Sequence, residues 1–494
     1  MKNVVSWIQS LSSTKIILFL ILLQTVIHIK YSNYPPVGFH AWRQTIGLSV
    51  ARNFYEEDMN LFTPRVDSRG QHTGITGMEF PLTNYLIAIT YHVFGFNNIS
   101  SRYLILAFSF VAIAFCFLFF KEIFRDTFFG FSAALLMIFS PLFCYYSFAI
   151  LPEVPSLAFL FISLFYLNKW DQENKNKYFT RFVIAFCLAG LMKISAIVIL
   201  PYVFIILLRK RKFILSPIIG VIISLAIIAA WYLYARHLSS VHQNYDFSLA
   251  FIPPKDFFQF FITFKRVYIQ WLPEVYLNYA EFVLFVMGLY ALIKYKSEFL
   301  KLKIFLVYFT IGVLLFMAAR FPILFDHDYY MIPSLPLLVG ISTIGIYWIV
   351  EKLSQKKHYK LWLSLSLALI ITIPILGSIR ALERFERGIR DTPYELITLE
   401  THLSQVIPDE DALVMITDES KSIKLYYANR KGWNIPLNIS IKTFNDIINS
   451  GAKYLISDSR TFENRKEVRN RIRLLSSYYS FNIYELMNKK RLIH

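Results

Sequence analysis

The stretch from residue 38 to residue 86 combines acids, bases and aromatic side chains within one polar segment. A connector between two helices needs only a few residues, so a segment this long predicts a site at a surface, or else a purely structural loop. A carboxylate or an imidazole in it could take a proton from a hydroxyl group, and arginines could hold an anion. The side chains in question are His40, Trp42, Arg43, Arg52, Arg65, Asp67, Arg69, His72 and Glu79.

Three of these residues are candidate general bases. Asp67 is the first choice because Arg65 and Arg69 flank it and would keep it ionised, although it could also serve only as their ion-pair partner. Glu79 is the second choice, with capping of the following helix as its alternative role. His40 is the third choice, with a structural hydrogen-bonding role as its alternative.

Two cations stand near the ends of apolar segments, where ionisable groups are costly and often functional. We expect Arg320 and Lys193, together with Arg43, to bind a phosphate, unless they only extend towards the membrane interface. Glu153 begins another apolar segment, where it could hold one of these cations or favour the start of a helix. Trp42 and Arg65 are expected to support the site.

The run Asp326-His327-Asp328-Tyr329 contains an Asp-x-Asp pair, which is a weak signal for a divalent metal. His327 and Tyr329 are equally suited to contact a phosphate. We therefore expect no metal or other cofactor, with Asp326 and Asp328 as the weak candidates should a metal bind.

The elements that must position these residues are mostly membrane helices. The chain has 494 residues, of which 56% are hydrophobic and only 17% are charged, against about 25% charged in a typical soluble domain. A spanning helix needs about 20 apolar residues. About eleven segments are candidates: 14–30, 101–121, 127–148, 152–169, 179–194, 195–209, 212–235, 277–294, 303–320, 329–350 and 360–379.

The net charge of +18 comes from Lys and Arg in short runs between apolar segments. This pattern is typical of cytoplasmic loops and anionic lipid contacts, and no nucleic-acid motif accompanies it. It predicts a cytoplasmic N-terminus and an extracytoplasmic C-terminus, provided that 81–96 is a partly embedded outer helix. The basic runs lie at 121–125, 168–178, 209–212, 294–303 and 351–360.

We therefore predict an α-helical polytopic membrane domain at 1–384, with long outer loops at 31–100 and 236–276. A small extracytoplasmic α/β domain is expected at 385–494. Within it, buried strands are predicted at 412–417 and 454–458 and a charged helix at 463–473.

The layout resembles the GT-C superfamily of membrane glycosyltransferases, in the branch of the protein O-mannosyltransferases and the lipid A aminoarabinose transferase. A first helix followed at once by a long outer loop contributes to this resemblance. So do the runs HAWRQ (40–44), PRVD (64–67), EFPLTNYL (79–86), LPE (151–153), DHDYY (326–330) and YYANRKGW (426–433), together with Phe94-Gly95 before Arg102 and with Lys193.

The resemblance implies an inverting enzyme of the plasma (inner) membrane. Such an enzyme passes a hexose or pentose from a polyprenyl-phosphate donor to a lipid, glycan or protein acceptor outside the cytoplasm. The family usually has an acidic residue shortly after its first helix, whereas here no acid occurs between that helix and Glu56. The base must therefore lie elsewhere. A transporter or flippase remains the alternative from another class, and a glycan polymerase or ligase is a third option.

Overall fold

The computed structural model describes residues 2–210, 215–245, 247, 253–295, 299–355, 358–420 and 422–487. Parts of the predicted basic runs, at 211–212, 296–298 and 356–357, lie outside the described residues.

The first eleven helices, in chain order, are α1 (Lys2–Ser10), α2 (Ser13–His28), α3 (Ala41–Glu56), α4 (Leu82–Phe94), α5 (Asn98–Phe124), α6 (Thr127–Phe139), α7 (Pro141–Tyr146), α8 (Glu153–Glu173), α9 (Asn176–Met192), α10 (Leu200–Arg209) and α11 (Leu215–His242).

The later helices are α12 (Phe257–Phe264), α13 (Tyr279–Lys294), α14 (Leu300–Arg320), α15 (Leu335–Ser354), α16 (Tyr359–Arg390), α17 (Tyr394–Ile397), α18 (Leu399–Val406), α19 (Ile423–Ala428), α20 (Ile441–Asn449), α21 (Arg460–Glu463) and α22 (Lys466–Arg469). Tighter 3-10 turns occupy Ile29–Tyr31, Ile194–Ile199, Phe321–Phe325 and Asp328–Ser334, and a π-helix occupies Lys265–Tyr276.

The chain forms two compact units. Unit 1 contains Met1–Ser32, Arg102–Trp231 and Leu249–Arg384, and unit 2 contains Asn33–Ser101, Tyr232–Ser248 and Phe385–His494. The first long loop and the tail thus pack together within unit 2.

Six helical segments in the described residues are long and apolar enough to cross a membrane, or seven if one pair bent by 115° counts as a single span. The predicted number of about eleven is therefore not confirmed. The six are Ser13–Tyr31, Asn98–Phe124, Leu215–His242, Leu300–Phe325, Asp328–Ser354 and Tyr359–Arg390, and the bent pair is Phe257–Tyr276 with Tyr279–Lys294.

Local helix breaks explain part of the difference in number. The predicted span 127–148 is divided at Ser140, which is extended and whose hydroxyl accepts a hydrogen bond from the Phe143 amide to begin α7. Pro141 at the first position of α7 suits a helix start, because proline lacks the amide hydrogen that an interior position needs. Hydropathy alone does not register such a break.

Close helix packing in unit 1 depends on small residues. A Cβ atom at Gly288 of α13 would lie 1.9 Å from the Ile341 carbonyl oxygen, and one at Gly345 of α15 would lie 2.1 Å from that of Leu284. The two helices therefore approach backbone to backbone, as small residues allow between helices in lipid.

Helix α4 covers most of the segment 81–96 that was predicted to be embedded rather than spanning. Its 13 residues extend about 20 Å at 1.5 Å per residue, less than the roughly 30 Å of a bilayer core. Together with α3 it forms the helical part of unit 2 near the N-terminus, and a small core of Ile46, Val50, Phe54, Val66, Met78 and Ala88 joins them to the intervening loop.

The tail carries a five-stranded sheet in the order β2-β1-β3-β5-β4. Strand β1 is parallel to β2 and β3, whereas β5 is antiparallel to β3 and β4. The strands are β1 (Val414–Thr417), β2 (Gly432–Ile435), β3 (Tyr454–Ser457), β4 (Ile472–Tyr478) and β5 (Phe481–Leu486). Both predicted strands are found, but the predicted charged helix at 463–473 is wrong, because two single helical turns there lead into β4.

Candidate functional site

Unit 1 places Lys193 and Glu153 at the same end of a helical hairpin. Glu153 is the first residue of α8, and Lys193 directly follows the last residue of α9. The Lys193 Nζ lies 2.7 Å from Glu153 Oε1, and both side chains are almost completely buried. The predicted contact between Glu153 and one of the cations is therefore present.

Tyrosine rings surround this lysine. The Lys193 Nζ lies 5.5 Å from the ring centre of Tyr329 and 5.2 Å from that of Tyr330, within the range of cation–π attraction. Arg320, the last residue of α14, donates to the Tyr330 hydroxyl at 3.2 Å. We call Glu153, Lys193, Arg320, Tyr329 and Tyr330 the lysine–tyrosine cluster.

His327 stands beside this cluster. Its ring centre is 5.5 Å from that of Tyr329, and its Nδ1 lies 3.1 Å from the Ile323 carbonyl oxygen. A carbonyl oxygen only accepts hydrogen bonds, so Nδ1 carries the proton in this contact. The predicted phosphate ligands Lys193, Arg320, His327 and Tyr329 are thus brought together within unit 1.

Asp328 belongs to a second group in unit 1. Its carboxylate accepts hydrogen bonds from the Tyr146 hydroxyl and from Arg384, each at 2.5 Å. The Arg384 guanidinium also lies 4.5 Å from the Tyr145 ring centre. Among the described residues, no group of three or more His, Cys, Asp or Glu side chains is arranged to hold a metal ion.

Arg43 belongs to unit 2, whereas the other predicted phosphate ligands belong to unit 1. Arg43 donates to Glu79 Oε2 at 2.7 Å, with both side chains at least nine-tenths buried. Its guanidinium lies 4.5 Å from the Phe247 ring centre. His40 precedes α3 with a left-handed φ of 55° and accepts backbone hydrogen bonds from Arg43 and Gln44.

Asp67 is also buried in unit 2, but its partners differ from those predicted. Arg52 donates to Asp67 Oδ2 at 2.5 Å, and the Asn53 amide donates to Oδ1 at 3.0 Å. Burial alone would lower the pKa of Arg52, yet the nearby carboxylates, Asp67 first, raise it above the usual value. The Arg52 guanidinium additionally donates to the Tyr426 carbonyl oxygen.

Arg65 and Arg69 form ion pairs with other acids. Arg69 donates to both carboxylate oxygens of Glu57, at 2.5 and 3.0 Å, and Arg65 lies within 4 Å of Glu57 and Asp58. The expectation that Arg65 and Arg69 flank and ionise Asp67 is therefore wrong. In an irregular loop, side chains that are close in sequence can point to different partners.

Glu57 is the centre of this ion-pair network. Its carboxylate also lies 2.6 Å from the Lys431 Nζ. Burial opposes ionisation, but the hydrogen bonds from Arg69 and Lys431 outweigh it and lower the pKa of Glu57 to about 2. This network joins the first long loop to the start of β2.

Several participating residues escaped the sequence analysis. Tyr330, Tyr146 and Arg384 were not singled out, although Arg384 lies near the end of an apolar segment, the same signal that identified Arg320. Arg52 was among the candidate side chains, but its position inside α3 gives no sign of its partner, and Asn53 beside it was not singled out. Only the folded chain brings them to Asp67.

Comparisons with known proteins agree with the predicted resemblance. A family model described as dolichyl-phosphate-mannose-protein mannosyltransferase matches residues 78–234, less than half of the chain. No curated protein sequence matches the chain.

Solved structures match over nearly the whole chain. The apo structure of ArnT from Cupriavidus metallidurans has a TM-score of 0.65 at 10% identity, covering 96% of this chain and 98% of that one. ArnT bound to undecaprenyl phosphate gives 0.60 at 11% identity, with the same coverage.

An oligosaccharyltransferase from Archaeoglobus fulgidus gives a TM-score of 0.53 at 14% identity, covering 92% of this chain and 70% of that one. The mycobacterial arabinofuranosyltransferase AftD gives 0.55 at 12% identity, covering 98% of this chain and 40% of that one. The chain thus has the GT-C fold of a multi-pass membrane protein and resembles the ArnT and protein mannosyltransferase branch, as predicted from its sequence.

Proposed function

We propose that this protein is an inverting glycosyltransferase that moves a sugar from a polyprenyl-phosphate donor to an acceptor outside the cytoplasm. The observation that supports this most strongly is the full-length likeness to ArnT, a protein whose structure has also been determined with undecaprenyl phosphate. The lysine–tyrosine cluster adds a chemical reason, because it gathers cations and phenols at one end of the α8–α9 hairpin.

The donor phosphate is proposed to bind through Lys193 and Arg320, with His327 and Tyr329 as hydrogen-bonding partners. In this reaction the acceptor oxygen forms a bond to the anomeric carbon while the bond from that carbon to the phosphate oxygen breaks. The electron pair leaves with the phosphate, so cations there stabilise the developing charge. The tyrosine rings attract Lys193 and leave its charge in place, while Glu153 balances one of the two cations of the cluster.

For the acceptor base we propose Glu79 in place of Asp67. Both Asp67 oxygens receive strong hydrogen bonds from Arg52 and Asn53, which suits a role in holding α3 to its loop. Glu79 is a buried carboxylate whose Oε2 accepts a hydrogen bond from Arg43, and a positioned carboxylate can take a proton from a hydroxyl group. His40 is the remaining candidate base, and Trp42 is proposed to support this part of unit 2.

The environment of the reaction follows from the same proposal. We place the protein in the plasma membrane with its N-terminus in the cytoplasm and with unit 2 outside, as the basic runs indicate. The transferred sugar is a hexose or a pentose, the acceptor a lipid, glycan or protein. No metal or other cofactor is part of the proposed reaction.

One observation favours the alternative of a transporter or flippase. The segments Phe257–Tyr276 and Tyr279–Lys294 form a bent pair at 115°, and Glu281 near the bend is completely buried. Broken helices and buried acids are features of transporters. A transporter would move a lipid-linked sugar across the bilayer without breaking its phosphate ester.

The deciding experiment uses the purified full chain in lipid nanodiscs with a panel of radiolabelled undecaprenyl-phosphate sugars. We expect release of undecaprenyl phosphate and recovery of the labelled sugar, with inverted anomeric configuration, on an added envelope extract. Lipid-linked sugar flipping in proteoliposomes with every donor left intact would contradict the proposal and favour the transporter.

A further inference from the structure

Unit 2 contains a cavity that none of the proposed catalytic residues lines. Its volume is about 320 Å³, at the lower end of the range of about 300–1,000 Å³ for small-molecule sites. Three segments far apart in the sequence form its walls: 68–75 in the first long loop, 242–245 after α11, and 432–434 at the start of β2.

Backbone hydrogen bonds hold these walls in place. The amides of Arg69 and Gly70 both donate to the Gly432 carbonyl oxygen, at 3.0 and 2.8 Å, and the Gly432 amide donates to that of Asp67 at 3.1 Å. The third wall is fixed by the Ser239 hydroxyl, which accepts from the Gly77 amide at 3.1 Å. The cavity is therefore a formed feature of unit 2 rather than a gap between loose segments.

An indole ring lies against the glycine turn in this cavity. A Cβ atom at Gly70 would come 2.7 Å from Trp433 Nε1, and Gly70 has a left-handed φ of +56°. A residue with a side chain would thus be strained and would displace the ring. The phenol of Tyr245 supplies a second aromatic surface, with 66% of the residue exposed.

Arg69 and Ile75 also line the cavity, and the remaining lining side chains are hydrogen-bonding groups. They comprise two imidazoles, those of His72 and His242, the Ser68 hydroxyl, and the amides of Gln243, Asn244 and Asn434. Amides and neutral imidazoles both donate and accept hydrogen bonds. This matches the hydroxyl groups of a sugar, whose ring also presents an apolar C–H face that an aromatic ring can cover.

The cations near the cavity are already neutralised. Arg69 donates two hydrogen bonds to Glu57, and Lys431 forms an ion pair with the same carboxylate at 2.6 Å. The charge balance therefore argues against a phosphate or a carboxylate as the natural ligand.

We propose that this cavity binds a neutral sugar unit of the acceptor, stacked on Trp433 and Tyr245. The identification of that sugar as part of the acceptor rests on the proposed transferase function, whereas sugar binding itself does not. The cavity would then select acceptors that carry a neutral glycan.

Saturation-transfer NMR on the full chain in nanodiscs tests this directly. The probes are the methyl glycosides of glucose, galactose, mannose, N-acetylglucosamine and arabinofuranose, with inorganic phosphate as the anionic probe. We expect saturable transfer from at least one neutral glycoside and no competition by phosphate.

Tyr245→Ala should weaken this binding by about tenfold, the equivalent of one aromatic contact, and His72→Ala by several fold. Tyr394→Ala is the matched control, because Tyr394 lies in the same unit, away from the cavity, and is likewise 66% exposed. It should leave binding unchanged.

Absence of transfer from every neutral probe would overturn the inference, as would equal weakening by Tyr394→Ala or displacement by phosphate. Hydrolysis of the lipid-linked donor is measured in parallel. If the donor is cleaved while no sugar binds, only the cavity inference fails. If sugars bind while no donor is ever cleaved, the transferase proposal fails and the sugar site stands.

Discussion

The cations of the lysine–tyrosine cluster in unit 1 and the arginines of the first long loop in unit 2 differ in their acid partners. In unit 1, Lys193 and Arg320 contact the rings or hydroxyl groups of Tyr329 and Tyr330, with Glu153 as the acid partner of the lysine. In unit 2, Arg52 is bound by Asp67 and Arg69 by Glu57, in each case through a contact of 2.5 Å.

This difference distinguishes cations suited to binding an anion from arginines that fix the loops of unit 2. The cluster combines two cations, Lys193 and Arg320, with one acid, Glu153, and its tyrosine rings leave the remaining positive charge in place, whereas Arg52 and Arg69 each pair with a carboxylate. The unit 1 cluster therefore suits a phosphate ligand, and the ion pairs of Arg52 and Arg69 in unit 2 suit the fixing of loops. The predictions below test this contrast.

The largest expected effect is on Glu79, the one buried acid in unit 2 to which we assign a chemical role. Glu79→Gln keeps the size of the side chain but removes its basicity, so kcat for sugar transfer should fall by about 10²–10⁴-fold. Radiolabelled transfer measures this, with circular dichroism as the check on folding. Wild-type turnover in the variant would return the base role to Asp67 or His40.

The next effect concerns Lys193. Lys193→Gln removes the charge proposed to stabilise the leaving phosphate, and transfer should fall by about 10²–10³-fold. Lys169→Gln is the control, because Lys169 is also an ion-paired lysine of unit 1, bound to Glu122 at 2.8 Å. Equal losses in both variants would mean that any ion-paired lysine of unit 1 matters and that the cluster has no special role.

Asp67→Asn should act on stability. It leaves the buried Arg52 charge without its carboxylate, at a cost of about 3 kcal/mol, and thermal unfolding of the protein in detergent should begin at a lower temperature. The exposed Asp391, paired with Arg387, provides the comparison, since Asp391→Asn should leave the unfolding temperature unchanged. An Asp67→Asn protein of normal stability that transfers no sugar would instead support a catalytic aspartate.

A smaller effect is expected from acid. The pKa of Glu57 is about 2 in the folded protein against an ordinary 4.5, so its ion pairs stabilise unit 2 fully above pH 4.5. That contribution, about 1–2 kcal/mol after allowance for solvent screening, is lost as the pH falls from 4.5 towards 2. Unfolding temperatures measured across this range should fall less steeply in Glu57→Gln than in the wild type.

The smallest effect is expected from chelation. Asp328 is already bound by Tyr146 and Arg384. Treatment with EDTA should therefore change the transfer rate by less than about twofold, which is small against the tenfold that about 1.4 kcal/mol represents. A rate that EDTA abolishes and Mn²⁺ or Mg²⁺ restores would establish a metal requirement and return attention to Asp326 and Asp328.

Much of the candidate site was within reach of the sequence. Lys193, Arg320 and Glu153 were identifiable because a charge at the end of an apolar segment stands out against its surroundings. No site role was predicted for Tyr330, because a tyrosine in an aromatic-rich chain carries no such contrast, and Arg52 was named without its partner, because an arginine within a helix gives no sign of what it contacts. Helix breaks such as Ser140 were likewise missed, because a hydropathy pattern averages over them.

By itself the sequence determined that this is a membrane protein with a long polar loop and a small terminal sheet, because hydropathy, charge runs and strand patterns are local properties. It also supplied the resemblance to the GT-C enzymes. Only the tertiary structure decided the partners of the charged residues. Asp67 binds Arg52 rather than the arginines near it in sequence, because irregular chain segments direct nearby side chains to different partners. Those partners decide how much of the desolvation cost of a buried charge is offset.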